Sequence, residues 1–122
     1  MKLTKSLFFM VLVVLTTTGT FAQKKVDPVG TWTFKAEAAP YEYNSGDIVI
    51  GKDGGEYTAK IVFGENYEIK GRDVVVEKDQ LSFKVYIEDE TVYLKGTVEA
   101  EEIKGTATYS EGTISFKAEK KK

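Results

Sequence analysis

From Trp32 to Ala118, apolar and polar side chains alternate with a period of two almost everywhere, and no stretch of helical spacing competes with that pattern. The apolar positions are Trp32, Phe34 and Ala36; Ile48 and Ile50; Tyr57, Ala59, Ile61 and Phe63; Tyr67 and Ile69, continued by Val74 and Val76; Leu81, Phe83, Val85 and Ile87; Val92, Leu94 and Val98; Ile103, Ala107 and Tyr109; and Ile114, Phe116 and Ala118. This spacing predicts an all-β domain of eight half-buried antiparallel strands.

A hairpin must keep inward residues opposite inward residues, so each turn fixes a register. A turn at Asp53-Gly54 sets Ile50 against Tyr57 and Ile48 against Ala59. The loop Gly64-Glu65-Asn66 sets Phe63 against Tyr67, and a turn at Lys78-Asp79 sets Val76 against Leu81. Turns at Asp89-Glu90, Ala100-Glu101 and Ser110-Glu111 pair Ile87 with Val92, Val98 with Ile103, and Ala107 with Ile114. All six hairpins agree with one inside face.

The alternation slips by one residue between Gly71 and Val74, where a β-bulge at Arg72-Asp73 restores the phase and bends the strand. Gly71, Gly96 and Gly105 occupy inward positions. An inward glycine marks a sharp bend, a large neighbour such as Phe116 opposite Gly105, or room for a ligand. An even number of strands joined by short hairpins lets the first meet the last antiparallel, and Phe34-Lys35-Ala36 matches Phe116-Lys117-Ala118 in its in-out-in pattern. The predicted architecture is therefore an up-and-down meander closed into a small β-barrel, which removes both sheet edges.

Composition divides the chain. Lys2 and Lys5 precede the unbroken apolar run Leu7 to Leu15, and Thr20-Phe21-Ala22 offers small residues for cleavage, so residues 1–22 read as an export signal. That run is about half the length needed to cross a bilayer, so no membrane span is expected. No cysteine follows it to carry a lipid. The expected product is soluble and located in the periplasm or outside the cell. It comprises an extended arm over 23–28, the barrel over 29–119, and a basic tail over 120–122. It carries 15 basic against 19 acidic residues, a charge of −4. Mixed surface charge without a basic stripe disfavours nucleic acid as a partner.

The chain has no cysteine and no histidine. That excludes the Ser-His and Cys-His nucleophiles, thiolate and imidazole metal sites, and disulfides. The acid pairs Asp89-Glu90 and Glu101-Glu102 fall in solvated turns, and no inward carboxyl is predicted to serve as a general acid. Lys52-Asp53-Gly54-Gly55-Glu56 lacks the ligand repetition of a calcium loop. The expectation is no enzyme, no metal and no cofactor.

Gly30-Thr31-Trp32 at the start of the first strand, followed by an antiparallel meander, resembles the Gly-x-Trp opening of lipocalins and the wider calycin group. The likeness runs from Val29 to Ala118 and is nearest to the abbreviated calycin-like domains of secreted bacterial proteins. The family's Thr-Asp-Tyr motif, C-terminal helix and usual length are absent. In that family the tryptophan closes the barrel bottom beneath a basic residue of the last strand. The resemblance thus gives Gly30 and Trp32 a barrel-closing role and makes Lys117 the candidate basic partner. The family's first loop lids the mouth, which implies Tyr41 and Tyr43 as contact residues for a ligand or partner.

An eight-stranded barrel is just wide enough for side chains or one small ligand. Trp32, Tyr57, Phe63, Tyr67, Phe83, Tyr109 and Phe116 all point inward on the alternation and are expected to fill most of it, leaving a shallow pocket at the open end. Tyr41 and Tyr43 in the long first loop either meet a ligand or partner or fold over the rim as a plug. The Asp89-Glu90 turn also sets Tyr86 across from Tyr93 on the outer face, as a simple cross-strand pair or a stacking platform for a sugar. Two functions follow. One is an exported binding module, acting as a monomer and holding a modest apolar or sugar ligand at the mouth. The other is an interaction or inhibitor module that presents loops or the N-terminal arm to an envelope protein.

Overall fold

The computed structural model describes residues 27–121, so the expected export signal and residues 23–26 of the arm lie outside the described residues. Short alternating segments separated by glycine and acidic turns become nine strands: β1 (Gly30–Lys35), β2 (Ser45–Asp53), β3 (Glu56–Phe63), β4 (Tyr67–Lys70), β5 (Arg72–Glu77), β6 (Gln80–Ile87), β7 (Glu90–Val98), β8 (Glu102–Tyr109) and β9 (Gly112–Lys120). They form one antiparallel sheet in the order β4-β3-β2-β1-β9-β8-β7-β6-β5. The first and last strands pair, with Phe34 opposite Ala118 and Lys35 opposite Lys117. The result is an up-and-down barrel that is nearly closed.

The count is nine rather than eight because the phase slip after Gly71 is an exchange of partners as well as a bulge. β4 hydrogen-bonds to β3, whereas β5 hydrogen-bonds to β6. Between them the Gly71 N–H donates to the Ala59 carbonyl at 2.7 Å, Asp73 takes a φ of 51°, and the β5–β6 register shifts between Arg72 and Val75. A bent segment can serve two neighbours only by leaving one for the other. The barrel is completed there by β3 packing on β5 and β4 on β6.

Four of the six hairpin registers follow the alternation, and two are displaced by two residues. Ile50 pairs with Ala59 rather than Tyr57, because the turn is Gly54-Gly55. Both turn positions need positive φ, here 62° and 90°, which two glycines adopt without steric cost. The β6–β7 turn is Glu88-Asp89 rather than Asp89-Glu90, so Val85 faces Val92 and Tyr86 faces Thr91. A displacement by two leaves every side chain on its expected face.

Trp32, Ile48, Ile50, Ile61, Phe83, Val85, Ile103 and Ala118 are among the buried residues of one continuous core. Gly96 and Gly105 lie opposite each other on β7 and β8. A Cβ on Gly105 would stand 2.2 Å from the Lys95 carbonyl oxygen and 2.8 Å from Phe116 Cζ, so these bare positions belong to packing. Tyr67 departs from the expected inward set. It is 48% exposed at the sheet's edge, while Tyr57 and Tyr109 are half-buried. The rings therefore do not all occupy the interior.

Candidate functional site

Antiparallel topology gathers the segment 36–44, the loop 64–66 and the turns 88–89 and 110–111 at one end of the barrel. The turns 54–55 and 78–79, the loop 99–101, the start of β1 and the end of β9 lie at the other. Trp32 closes this second end. It is 1% exposed, its indole N–H donates to the Pro28 carbonyl at 2.9 Å, and Lys120 Nζ stands 5.4 Å from its ring centroid. Gly30 lies beside the Lys120 side chain. The basic residue over the tryptophan is therefore Lys120 and not Lys117. Lys117 takes the outward phase of β9 and sits 3.8 Å from Glu102, whereas Lys120 is on the inward phase and partly buried. Lys120 also ends a strand instead of starting a tail, and the Lys121 N–H donates to the Thr31 carbonyl at 2.8 Å.

The first end is hollow. A cavity of about 270 Å³ opens there, with Phe34, Ile48, Ile61, Phe63, Leu94 and Phe116 in its depths and Ala36, Ala39, Tyr43, Val92, Ala107 and Ile114 among its other walls. Glu88, Glu90 and Glu111 are its charged lining residues. It is deeper than the shallow pocket expected from a ring-filled barrel. Small or half-buried inward residues at the strand ends, Ala36 and Ala107 among them, leave this end unfilled.

The segment 36–44 crosses the opening. Pro40 starts a single 3-10 turn over Tyr41–Tyr43, and the Ala36 N–H donates to the Asn44 carbonyl at 2.8 Å, pinching the loop at its base. Tyr43 packs edge-on against Phe63, with centroids 5.1 Å apart, and its hydroxyl donates to Glu88 Oε2 at 2.5 Å on the far side of the mouth. That hydrogen bond to a carboxylate, aided by partial burial and the Glu88 charge, pushes the Tyr43 phenol up to about 12. Glu90 accepts the Ser110 backbone N–H at 2.7 Å, which holds its carboxyl below the usual range. The two lid tyrosines thus part company. Tyr43 is in the cavity wall, whereas Tyr41 is 89% exposed and faces solvent.

Tyr86 and Tyr93 do not face each other across the strands. With the turn at Glu88-Asp89, Tyr93 lies opposite Lys84 and Tyr86 opposite Thr91. Both rings are about half exposed, and each carries a cation: the Arg72 guanidinium stands 5.1 Å from the Tyr86 centroid and Lys84 Nζ 5.7 Å from that of Tyr93. Lys84 in turn pairs with Asp73 at 2.8 Å, which raises the lysine's pKa and lowers the aspartate's. Each ring thus has a cation over one face and remains about half exposed.

Sequence reasoning missed Glu88, Glu90, Glu111 and Lys120. The lysine was legible in the phase of the last strand; the glutamates look like ordinary turn acids until closure brings them around one opening. Among the described residues no helix is long and apolar enough to cross a membrane.

No family model matches the chain, and no curated protein does. A solved structure described as a redesigned beta barrel is similar, with a TM-score of 0.53 and 16% identity, covering 77% of this chain and 91% of that one. At that identity the likeness shows the barrel fold alone.

Proposed function

We propose that this chain is an exported, non-enzymatic binding module, a small lipocalin-like barrel that holds a compact apolar ligand in the cavity at its mouth, beneath the first loop. The observation that carries this reading is the cavity of about 270 Å³ with apolar walls. Its volume is just under the roughly 300–1,000 Å³ typical of sites for drug-sized ligands, and above the roughly 150 Å³ that accommodates benzene. The ligand class is therefore a one- or two-ring molecule or its aliphatic equivalent. Trp32 beneath a last-strand lysine supports the lipocalin likeness, and the apolar run at Leu7 to Leu15 supports export. The charged groups at the mouth are partly or fully exposed, which favours binding over acid–base chemistry.

Titration calorimetry of the purified protein with 1-naphthalenemethanol, a neutral two-ring alcohol, tests the proposal. Saturable binding is expected, weakened by about tenfold or more in Ala107→Phe, whose ring enters the cavity. Binding of equal strength in that variant contradicts the site. Exposed Tyr41 favours the alternative of an interaction or inhibitor module, and Tyr41→Ala separates the two: it leaves the alcohol's affinity unchanged under the cavity reading.

A further inference from the structure

The cavity combines two chemistries. Its interior is mainly apolar and accepts a carbon skeleton, with the Tyr43 and Tyr109 phenols as its neutral polar lining groups. Its charged lining residues, Glu88, Glu90 and Glu111, are all acidic, and none of its lining residues is basic. An ionised carboxylate accepts hydrogen bonds and donates none. A ligand carboxylate or sulfate at the mouth would meet like charge there, whereas an ammonium group would meet charge-assisted acceptors, the stronger class of hydrogen bond.

Two of these carboxylates are already positioned. Glu88 is held by the Tyr43 hydroxyl and Glu90 by the Ser110 N–H, so a cation meets acceptors whose ordering is complete before it arrives. The surroundings reinforce the sign. Glu37, Glu42, Glu65 and Asp89 lie in the loops of the same end, and no Lys or Arg occurs within 36–44, 64–66, 88–89 or 110–111. Charges within a Debye length of roughly 8 Å act together on an approaching ion. Among the described residues no three acidic side chains are grouped closely enough to hold a metal ion. Negative charge is spread around the rim of an apolar chamber, an arrangement suited to an organic cation rather than a bare divalent one.

We infer that the mouth cavity takes a small amphipathic cation, its aromatic or aliphatic skeleton inside and its ammonium group among Glu88, Glu90 and Glu111. This rests on the cavity being the ligand site and adds to it the charge of the ligand. Three molecules sharing one skeleton test it at pH 7: 1-naphthylmethylammonium, 1-naphthalenemethanol and 1-naphthoate. The ammonium is expected to bind about tenfold or more tightly than the carboxylate, with the alcohol between and the gap narrowing as salt is raised. Replacing all three acids, Glu88→Gln with Glu90→Gln and Glu111→Gln, is expected to bring the ratio of ammonium to alcohol affinity, both measured in that variant, to about one. If the alcohol binds but the ammonium binds no better than the carboxylate, the inference is overturned and the cavity reading stands. A preference that survives the triple substitution also overturns it. If none of the three binds, both fall. The comparison in the unaltered protein decides the matter even where the triple variant fails to fold.

Discussion

Where β1 begins, one large ring fills the barrel: Trp32 is buried under Lys120, with its indole N–H satisfied by the Pro28 carbonyl. Where β1 stops, a nine-residue segment spans the opening instead, tied across it by the Tyr43–Glu88 hydrogen bond, with a cavity beneath. The same strands and the same alternation build both ends. What differs is the size of the last inward residues and the means of closure. A buried aromatic with a paired N–H closes an end by packing, and an exposed hydrogen bond closes one by a tie that water can replace. The first arrangement suits stability and the second suits entry.

The largest effect is expected at the packed end. Trp32→Ala should lower stability by about 3–5 kcal/mol in urea unfolding, the range for removing a buried indole. A loss no greater than that of Tyr43→Ala would erase the distinction between the ends. A sharper version places one substitution at each end on neighbouring strands. Ala118, fully buried opposite Phe34 and Ile103, has no room, so Ala118→Phe should cost about 1–3 kcal/mol. Ala107 borders the cavity, and Ala107→Phe should cost less than about 1 kcal/mol because the space exists already. Equal costs would mean that the mouth is as full as the base.

The smallest effect concerns the tie itself. Tyr43 has its phenol raised from 10.0 to about 12, so the folded protein holds that proton more tightly than the unfolded chain does. Its contribution to stability is therefore whole below pH 10 and fades as the pH climbs through 12. The difference in phenolate absorbance between the native protein and Tyr43→Phe should titrate near 12, and near 10 when Glu88→Gln removes the charge. A Tyr43 that titrates near 10 in the native protein would mean that the tie is not formed.

The fold was legible to the extent that side-chain direction determines it. The period of two placed Trp32, Ile48, Phe83 and Ile103 inside, and the matched ends Phe34-Lys35-Ala36 and Phe116-Lys117-Ala118 pointed to the β1–β9 pairing. Phase alone cannot distinguish registers two residues apart, so the turns at Gly54-Gly55 and Glu88-Asp89 were displaced, and the supposed Tyr86–Tyr93 pair dissolved with the second. The slip at Gly71 was visible as a bulge, but nothing local says that the chain changes partners there. Of the site, the first loop and Tyr43 were legible from the long aromatic connection and the family likeness. The glutamates were not, since their meaning comes from closure, which places turns distant in sequence around one opening. Lys120 is masked by its place in a run of three terminal lysines, although its phase on the last strand points inward.

Amide shifts during titration with 1-naphthalenemethanol show whether one end is a chamber and the other a plug. Saturable shifts are expected over 34–43, 87–94 and 107–116 and at Ile48, Ile61 and Phe63, which line the cavity, with the Trp32 indole N–H unmoved. Shifts centred on Trp32 and Lys120, or spread over the outer face around Tyr86 and Tyr93, would contradict it.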